Sequence, residues 1–390
     1  MVGTPTATSK ADFYMSDNRW NYYSLAKNVQ LAKFWEDRLN GQNGNLLCIL
    51  ALGFDPRTCD AIKMLKKAGG VGRRDVILIE YDEGPDSPSQ ALAIYVEQNR
   101  KILTETVSGM GEMKTRTLKV IDDDGRRVES VNAARMFSST SEFADYDDVV
   151  FDISALPRGI YFPIIAKLLH LRDEAKSTGV ERLPNIHVIV AENAGLDAHI
   201  RQEGIEESAH FVHGFNGGAQ QQATATVPCI WMPLLGEGQE QQFKVIQDFV
   251  KPNEVLPVLP SPARNLRRSD DLVTEYREIL FDSLRLDPRN FIYGHEQNPF
   301  VVYRQIHSVI ERYSRSLKPL GGARFVLSAL SSKLMSLGPL LVAYELKPKN
   351  IVGLAHVASN GYQFDTPQPN ETSANETELF GLWLAGAYYE

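Results

Sequence analysis

The stretch DDVVFDISALPRG, residues 147–159, decides the fold of this chain. A short apolar run ends at Asp152, and Pro157, Arg158 and Gly159 follow within a few residues. A buried strand that passes directly into a helix is typical of a parallel sheet covered by helices on both faces. If the stretch is one unit of such a sheet, similar junctions should occur on both sides of it.

Similar strand-to-helix junctions do occur along the chain. In the first half the apolar runs are NLLCILALG (45–53), DVILIEYD (75–82) and NIHVIVAEN (185–193), with helical spacing between them. In the second half ARFVLSAL (323–330) and NIVGLAHVA (350–358) continue the pattern. This alternation predicts an α/β fold: a Rossmann-like, doubly wound, mostly parallel sheet with a second, smaller α/β half.

The pattern divides the chain into four parts, with no clear sequence repeat between the halves. The predicted parts are a helical N-terminal cap (1–44), a Rossmann-like α/β domain (45–235), a second α/β domain (236–366) and a polar C-terminal tail (367–390). Residues 194–228 are small and polar without a clear period, which predicts a long loop.

Composition restricts the class of protein. The chain has 390 residues, a formal net charge of -8 and three cysteines without a CxxC pair. An acidic chain is a poor general binder of nucleic acid, because phosphate contacts need a basic surface. No apolar stretch approaches the ~20 residues that span a bilayer, and the N-terminus lacks the order of a signal peptide. We therefore expect a cytoplasmic protein in a reducing compartment, without a structural metal.

Two strand ends place Pro-Arg at a helix start, in GFDPR and DISALPR. Helix capping explains Asp55, and the end of a strand explains Asp152, while Ser154 is a second potential cap. Capping explains neither Arg57 nor Arg158, because an arginine in the first turn opposes the helix dipole. A guanidinium forms paired hydrogen bonds with phosphate, so the two junctions predict arginines that converge on one anion. The alternative is that both are surface side chains.

Two further strand ends add to this site. In SALSSK the spacing predicts Ser332 as a helix cap and Lys333 in the first turn, an arrangement that favours anions. Glu80 and Asp82 close the second strand, where Rossmann folds place the carboxylate that binds a ribose. The predicted ligand contacts are Asp55, Arg57, Glu80, Asp82, Asp152, Ser154, Arg158, Ser332 and Lys333.

Several motifs of known enzymes are missing. The chain has neither the glycines of a P-loop nor a GxSxG elbow, and His210 and His213 lack the neighbouring ligands of a metal site. Arg264, Arg267 and Arg268 form the one basic cluster, which is a helix start or a second contribution to the anion site.

Two resemblances suggest partners and cofactors. GFDPR looks like the first loop of class I methyltransferases that use S-adenosylmethionine, although the GxGxG of that family is missing. The combination of GFDPR, DISALPR and LSALSSKLMSLG resembles uncharacterised Rossmann-like proteins of bacterial multi-gene anti-phage defence systems. That second resemblance implies a cytoplasmic protein that works with partner subunits.

Three functional hypotheses follow. The first is a binding or regulatory subunit that holds a nucleotide or another phosphorylated ligand at the strand ends. The second is an enzyme acting on nucleotides or nucleic acid, either an S-adenosylmethionine-dependent transferase or a nucleotide hydrolase with Asp152 as the base. The third is a structural subunit that contacts other proteins through the Trp20 region or the loop at 205–227, with strand-end charges that are only capping and surface residues. The missing nucleophile and metal motifs favour the first.

Overall fold

The computed structural model describes residues 18–42, 44–84, 87–218, 227–365 and 377–390. The strands are β1 (Ser24–Lys27), β2 (Leu46–Leu52), β3 (Arg74–Asp82), β4 (Met113–Lys119), β5 (Asp148–Asp152), β6 (Asn185–Glu192), β7 (Ile200–Ile205), β8 (His210–Asn216), β9 (Cys229–Leu234), β10 (Glu254–Val255), β11 (Val258–Pro260), β12 (Ile292–Gly294), β13 (Arg324–Ala329), β14 (Val352–His356), β15 (Ser359–Phe364) and β16 (Glu378–Ala385). The helices are α1 (Val29–Gln42), α2 (Asp60–Lys67), α3 (Ala93–Val107), α4 (Glu129–Arg135), α5 (Arg158–Ser177), α6 (Ala194–Asp197), α7 (Glu240–Val250), α8 (Arg268–Glu275), α9 (Pro299–Ser316) and α10 (Lys333–Glu345).

The first sheet confirms the predicted α/β class. Its order is β1-β16-β6-β5-β2-β3-β4, and the five strands from β6 to β4 are parallel. Numbered along the chain, these five strands have the order 3-2-1-4-5, which is that of a doubly wound Rossmann sheet. The strands β2 and β5 are buried along their whole length, as their continuous apolar runs predict.

The second sheet repeats this strand order. Its path is β12-β11-β9-β13-β14-β8, with the two-residue strand β10 paired in parallel to β9 off this path. The five parallel strands on the path again run 3-2-1-4-5. In each sheet the fifth parallel strand carries one antiparallel neighbour, which is β16 beside β6 and β8 beside β14. The two halves are therefore topological repeats, although their sequences show no clear repeat.

The antiparallel neighbours are exchanged between the halves. Strand β8 follows the first sheet along the chain but pairs in the second, whereas β16 follows the second sheet and pairs in the first. The strands that precede them, β7 and β15, pair with each other in a small antiparallel sheet. The chain thus crosses between the halves twice, and backbone hydrogen bonds hold each crossing.

The helices α5 and α10 lie in a core that the two sheets share. Both are apolar around most of their circumference, in the segments GIYFPIIAKLLHL and LMSLGPLLVAY, and such helices are buried on all sides. One continuous hydrophobic cluster includes Phe151, Ile164, Met232, Leu327 and Leu340, from β5, α5, β9, β13 and α10. In each sheet one helix follows the fourth strand, α5 after β5 and α10 after β13. These two helices therefore lie close together.

The strands of the two sheets do not follow the predicted domain boundaries. Strand β9 belongs to the second sheet although it lies within the predicted domain 45–235, and β16 lies within the predicted tail 367–390. The described part of the cap contains β1 as well as α1. Residues 1–17 and 366–376 are outside the described residues.

The predicted loop 194–228 contains regular structure in its described part. It holds α6 and the two strands β7 and β8. Its polar sequence hides these strands because they lie at sheet edges or in the small sheet, where side chains are half-exposed and no continuous apolar run is needed. Residues 219–226 of this segment are outside the described residues.

A substitution in β16 tests whether this strand packs against α1 in the first sheet. A Cβ atom at Gly381 would lie 2.2 Å from Cδ1 of Leu31, a buried residue of α1. We therefore expect Gly381→Ala to lower the free energy of unfolding by about 1–3 kcal/mol, measured by chemical denaturation. Gly41→Ala is the control, because no atom lies within 4 Å of the added Cβ. Equal stability of the two variants would show that β16 does not pack under α1.

Candidate ligand-binding site

A cavity of about 730 Å³ lies where the carboxyl ends of the two sheets meet. Residues that follow β2, β3, β5 and β6 line it from the first sheet, and residues that follow β9, β13 and β14 line it from the second. The strand order reverses between β2 and β5 in the first sheet and between β9 and β13 in the second, and such a place is called a topological switch point. Residues that follow these four strands line the cavity, so both switch points open into it. Open α/β sheets bind ligands at such points, and the volume is typical of a small-molecule site.

Arg57 lines the cavity, but its guanidinium is occupied by carboxylates. Asp55 caps the turn after β2, as predicted, by accepting a hydrogen bond from the backbone N–H of Arg57 at 3.0 Å. The guanidinium binds the same carboxylate, with Nη2 2.7 Å from Oδ2, and Nη1 lies 2.8 Å from Asp197. Burial opposes ionisation of Asp55, but the charge of Arg57 outweighs it and lowers the pKa of the carboxyl. This pairing argues against Arg57 as a phosphate contact.

Arg158 and Lys333 reach across the cavity in opposite directions. Arg158 begins α5 and donates hydrogen bonds to the carbonyl of Ser331 and, at 3.3 Å, to the hydroxyl of Ser336. Lys333 begins α10 and donates to the carbonyl of Ser154 at 2.5 Å. Each cation therefore binds a loop of the other half, and the two occupy equivalent places in the repeated topology.

These two cations differ from the other basic side chains of the cavity. Among the described residues, five arginine and lysine side chains line it: Arg57, Arg127, Arg158, Arg268 and Lys333. Three of them form ion pairs with two carboxylates each, namely Asp55 and Asp197, Glu129 and Glu206, and Glu237 and Glu296. Within the described part of the chain, Arg158 and Lys333 form no ion pair. Their charge is therefore available to a ligand.

The helix N-termini at this site are not equivalent. Ser332 caps α10, as predicted, by accepting from the N–H of Met335 at 3.2 Å, and Glu192 accepts from the N–H of Leu334 at 3.4 Å. The N-cap of α5 is Pro157, whose side chain forms no capping hydrogen bond. The 20-residue helix α5 therefore presents the more open N-terminus, and Arg158 is its first residue.

An acidic region lies along the β3 side of the cavity. Glu80 and Asp82 line it, together with Glu83 and Glu97. Glu80 is paired with Arg100 at 2.6 Å, whereas Asp82 is exposed and accepts from the N–H of Gly84 at 3.1 Å. Phe54 and Tyr81 add aromatic surface. The cavity thus has carboxylates on one side and two unpaired cations at the switch points.

Asp152 and Ser154 lie beneath the cavity and do not line it. Asp152 is 2 % exposed, and its Oδ1 accepts from the backbone N–H of Ser154 at 2.8 Å and from the Ser154 hydroxyl. The hydroxyl also accepts from the N–H of Ala191 at 2.8 Å, so Ser154 joins β5 to β6 and does not cap α5. Burial raises the pKa of Asp152 to about 7, and its Oδ2 has no hydrogen-bond partner among the described residues.

The remaining polar residues of the sequence patterns lie near carboxylates or are exposed. His210 lies 3.6 Å from Glu206, and Arg264 pairs with Glu378. Arg268 lines the cavity but is held by two carboxylates, whereas Arg267 is 81 % exposed. The described residues contain no group of three or more potential metal ligands.

Sequence reasoning missed Glu129 and His356, which also line the cavity. A signal for the repeated architecture was present: ISAL (153–156) before Pro157-Arg158 matches LSAL (327–330) before Ser332-Lys333. The first segment directly follows β5, and the second includes the last three residues of β13. Compared side by side, they indicate that Arg158 and Lys333 are equivalent.

Comparisons with known proteins do not assign the chain to a family. No family model matches the chain, and no curated protein matches it. Solved structures do match, and among them is the crystal structure of an uncharacterised protein from Mycobacterium paratuberculosis. It is 8% identical, with a TM-score of 0.20, over 85% of this chain and 88% of that one. No described helix has both the length and the apolar character required to cross a membrane.

The buried carboxyl of Asp152 predicts a pH dependence of stability. Its folded pKa of about 7 lies above the unfolded value of about 3.9, so ionisation destabilises the folded state as pH rises from about 4 to 7. Asp152→Asn is neutral throughout. We expect it to gain up to about 4 kcal/mol of unfolding free energy relative to the wild type between pH 4 and pH 8.

Denaturation curves of both proteins at several pH values measure this gain. The control is Asp124→Asn, the same chemical change on an exposed turn residue, which should show no gain. A stability difference between Asp152→Asn and the wild type that is constant with pH would mean that Asp152 does not change protonation in this range.

Proposed function

We propose that the chain binds a nucleotide or a related phosphorylated ligand in the cavity between its two sheets. The observation that carries this proposal is the pair Arg158 and Lys333, which meet at the switch points without a carboxylate partner among the described residues. The other three basic side chains of the cavity are neutralised by acids. Two cations kept unpaired in an otherwise acidic cavity favour an anionic ligand.

The phosphate is placed at the N-terminus of α5 in this proposal. The backbone there is not capped by a side chain, and the partial positive charge of a 20-residue helix adds to the two cations. A phosphate would replace the neutral carbonyls of Ser331 and Ser154 as hydrogen-bond acceptors. Hydrogen bonds between charged groups are shorter and about twice as strong as neutral ones, which makes that replacement favourable.

The opposite end of the ligand would lie over the β3 side. Carboxylates accept hydrogen bonds from sugar hydroxyls, and Asp82 has the less occupied carboxylate of the two predicted ribose contacts. The aromatic faces of Phe54 and Tyr81 suit a planar base. A nucleotide has this combination of a hydroxyl-rich centre, a planar end and a phosphate.

The geometry favours binding over a hydrolase that uses Asp152 as its base. A general base must reach the proton that it removes, and Asp152 is buried beneath the cavity. A regulatory or binding subunit needs only the two cations and the cavity. Partner subunits, a role in anti-phage defence and S-adenosylmethionine as ligand stay predictions, because no comparison bears on them.

Removing one cation tests the proposal. A thermal-shift screen of nucleotides should first identify ligands, since a ligand at 100 times its Kd adds about 2.7 kcal/mol of stability. We then expect Arg158→Gln to weaken binding of the identified nucleotide by about 10- to 100-fold in isothermal titration calorimetry, because a charged hydrogen bond is lost.

Arg267→Gln is the matched control for this experiment, since Arg267 carries the same charge on the exposed surface and does not line the cavity. Binding that is unchanged in Arg158→Gln, or a screen without any stabilising nucleotide, would contradict the proposed function.

The protonation of Lys333 gives the site a predicted pH profile. Burial, with the nearby charge of Arg57, lowers the pKa of Lys333 to about 8. Phosphate binding requires the charged amine, whereas the phosphate itself titrates near pH 6. We expect affinity to fall about tenfold between pH 7 and pH 9, following the loss of the proton from Lys333.

Lys333→Arg should remove this dependence, because arginine stays charged over the whole range. Calorimetric titrations at pH 7, 8 and 9 on both proteins make the comparison. A wild-type affinity that is flat from pH 7 to 9 would exclude Lys333 as a phosphate contact.

A further inference from the structure

Glu129 is a buried carboxylate whose hydrogen bonding is incomplete. It is the first residue of α4, lines the cavity and is 3 % exposed. Its Oε1 has no hydrogen-bond partner in the described part of the chain. The nearest cation is Arg127, whose Nη1 lies 3.8 Å away, outside hydrogen-bonding distance. Buried polar atoms nearly always have a partner, so this oxygen calls for an explanation.

Arg127 cannot easily provide the missing partner. Its Nε lies 3.1 Å from Glu206, and its Nη2 donates to the carbonyl of Ser359. His210 is the other titratable group that faces Glu129, and it lies against Glu206 at 3.6 Å. The neighbours of Glu129 are therefore engaged with each other. Burial also raises the pKa of Glu129, which agrees with a carboxylate that receives too few hydrogen bonds.

The unpartnered oxygen lies beside the proposed phosphate position. A Cβ atom on Gly159, the second residue of α5, would be 3.0 Å from Oε1 of Glu129. A Cβ atom at this position would require the carboxylate to shift by a few tenths of an ångström, so Glu129 lies close against the first turn of α5. The acceptor and the open helix N-terminus therefore belong to one part of the cavity.

We propose that Glu129 accepts a hydrogen bond from the ligand, so that the ligand carries a hydroxyl or amino group close to its phosphate. This inference rests on the proposed function and narrows its ligand class. An ionised carboxylate only accepts hydrogen bonds and repels any phosphoryl group, so the donor group of the ligand, and not its phosphate, must face Glu129. Glu129 thus selects phosphate esters with a nearby hydrogen-bond donor over esters without one.

Three small phosphate esters of similar size test the inference: 2-aminoethyl phosphate, 2-hydroxyethyl phosphate and ethyl phosphate, which has no donor on its chain. We expect the first two to bind wild-type protein at least about tenfold more tightly than ethyl phosphate in calorimetry, the value of one hydrogen bond to a charged group. In Glu129→Gln that preference should fall to about twofold or less.

Two further variants make the test decisive. Glu112→Gln makes the same chemical change at a residue that is 71 % exposed and does not line the cavity, and it should keep the preference. Gly159→Ala should shift Glu129 and thereby reduce the preference for esters that carry a donor. This variant tests the inference even where Glu129→Gln fails to fold. Equal binding of the three esters to the wild type, or a preference that persists in Glu129→Gln, overturns the inference while the proposed function stands. Binding of none of the esters also overturns the inference, whereas the nucleotide screen with Arg158→Gln decides the proposed function separately.

Discussion

The exchange of strands β8 and β16 is the constraint on which the rest of the structure depends. Each sheet receives its sixth strand from the other half of the chain, and backbone hydrogen bonds hold each of these strands along a neighbour. Separating the halves would expose the edges of β6 and β14, whose backbone groups need partners. The two carboxyl edges are therefore held facing each other, and the cavity between them is a permanent feature of the fold.

This arrangement explains why the site needs both halves. A single Rossmann sheet has one switch point and one helix following its fourth strand. Here two such helices, α5 and α10, meet in a shared core, and the first residue of each binds a loop of the other half. Neither half alone would place Arg158 and Lys333 together, because their proximity follows from the packing of two repeated units.

Much of the fold could be predicted from the sequence, because buried parallel strands are continuous apolar runs and the switch-point junctions follow them directly. The pairing of β16 could not, since its partner β6 lies far back along the chain and a polar segment precedes it. The site shows the same limit. The anion-favouring junctions were visible as Pro-Arg and Ser-Ser-Lys, but the pairing of Arg57 with Asp197 depends on a long-range contact, and so does the burial of Asp152 beneath the cavity.

The distribution of charge distinguishes a ligand site from a merely polar interface. In an interface that only stabilises the fold, burial of a cation is offset by a carboxylate, as for Arg57, Arg127 and Arg268. Lys333 forms no ion pair in the described structure, and its pKa is lowered because the more distant charges of Asp55 and Asp197 offset its burial only in part. An incoming phosphate would supply the missing charge. Glu129 differs, because Arg127 lies 3.8 Å from it; what its Oε1 lacks among the described residues is a hydrogen-bond donor, which a ligand could supply.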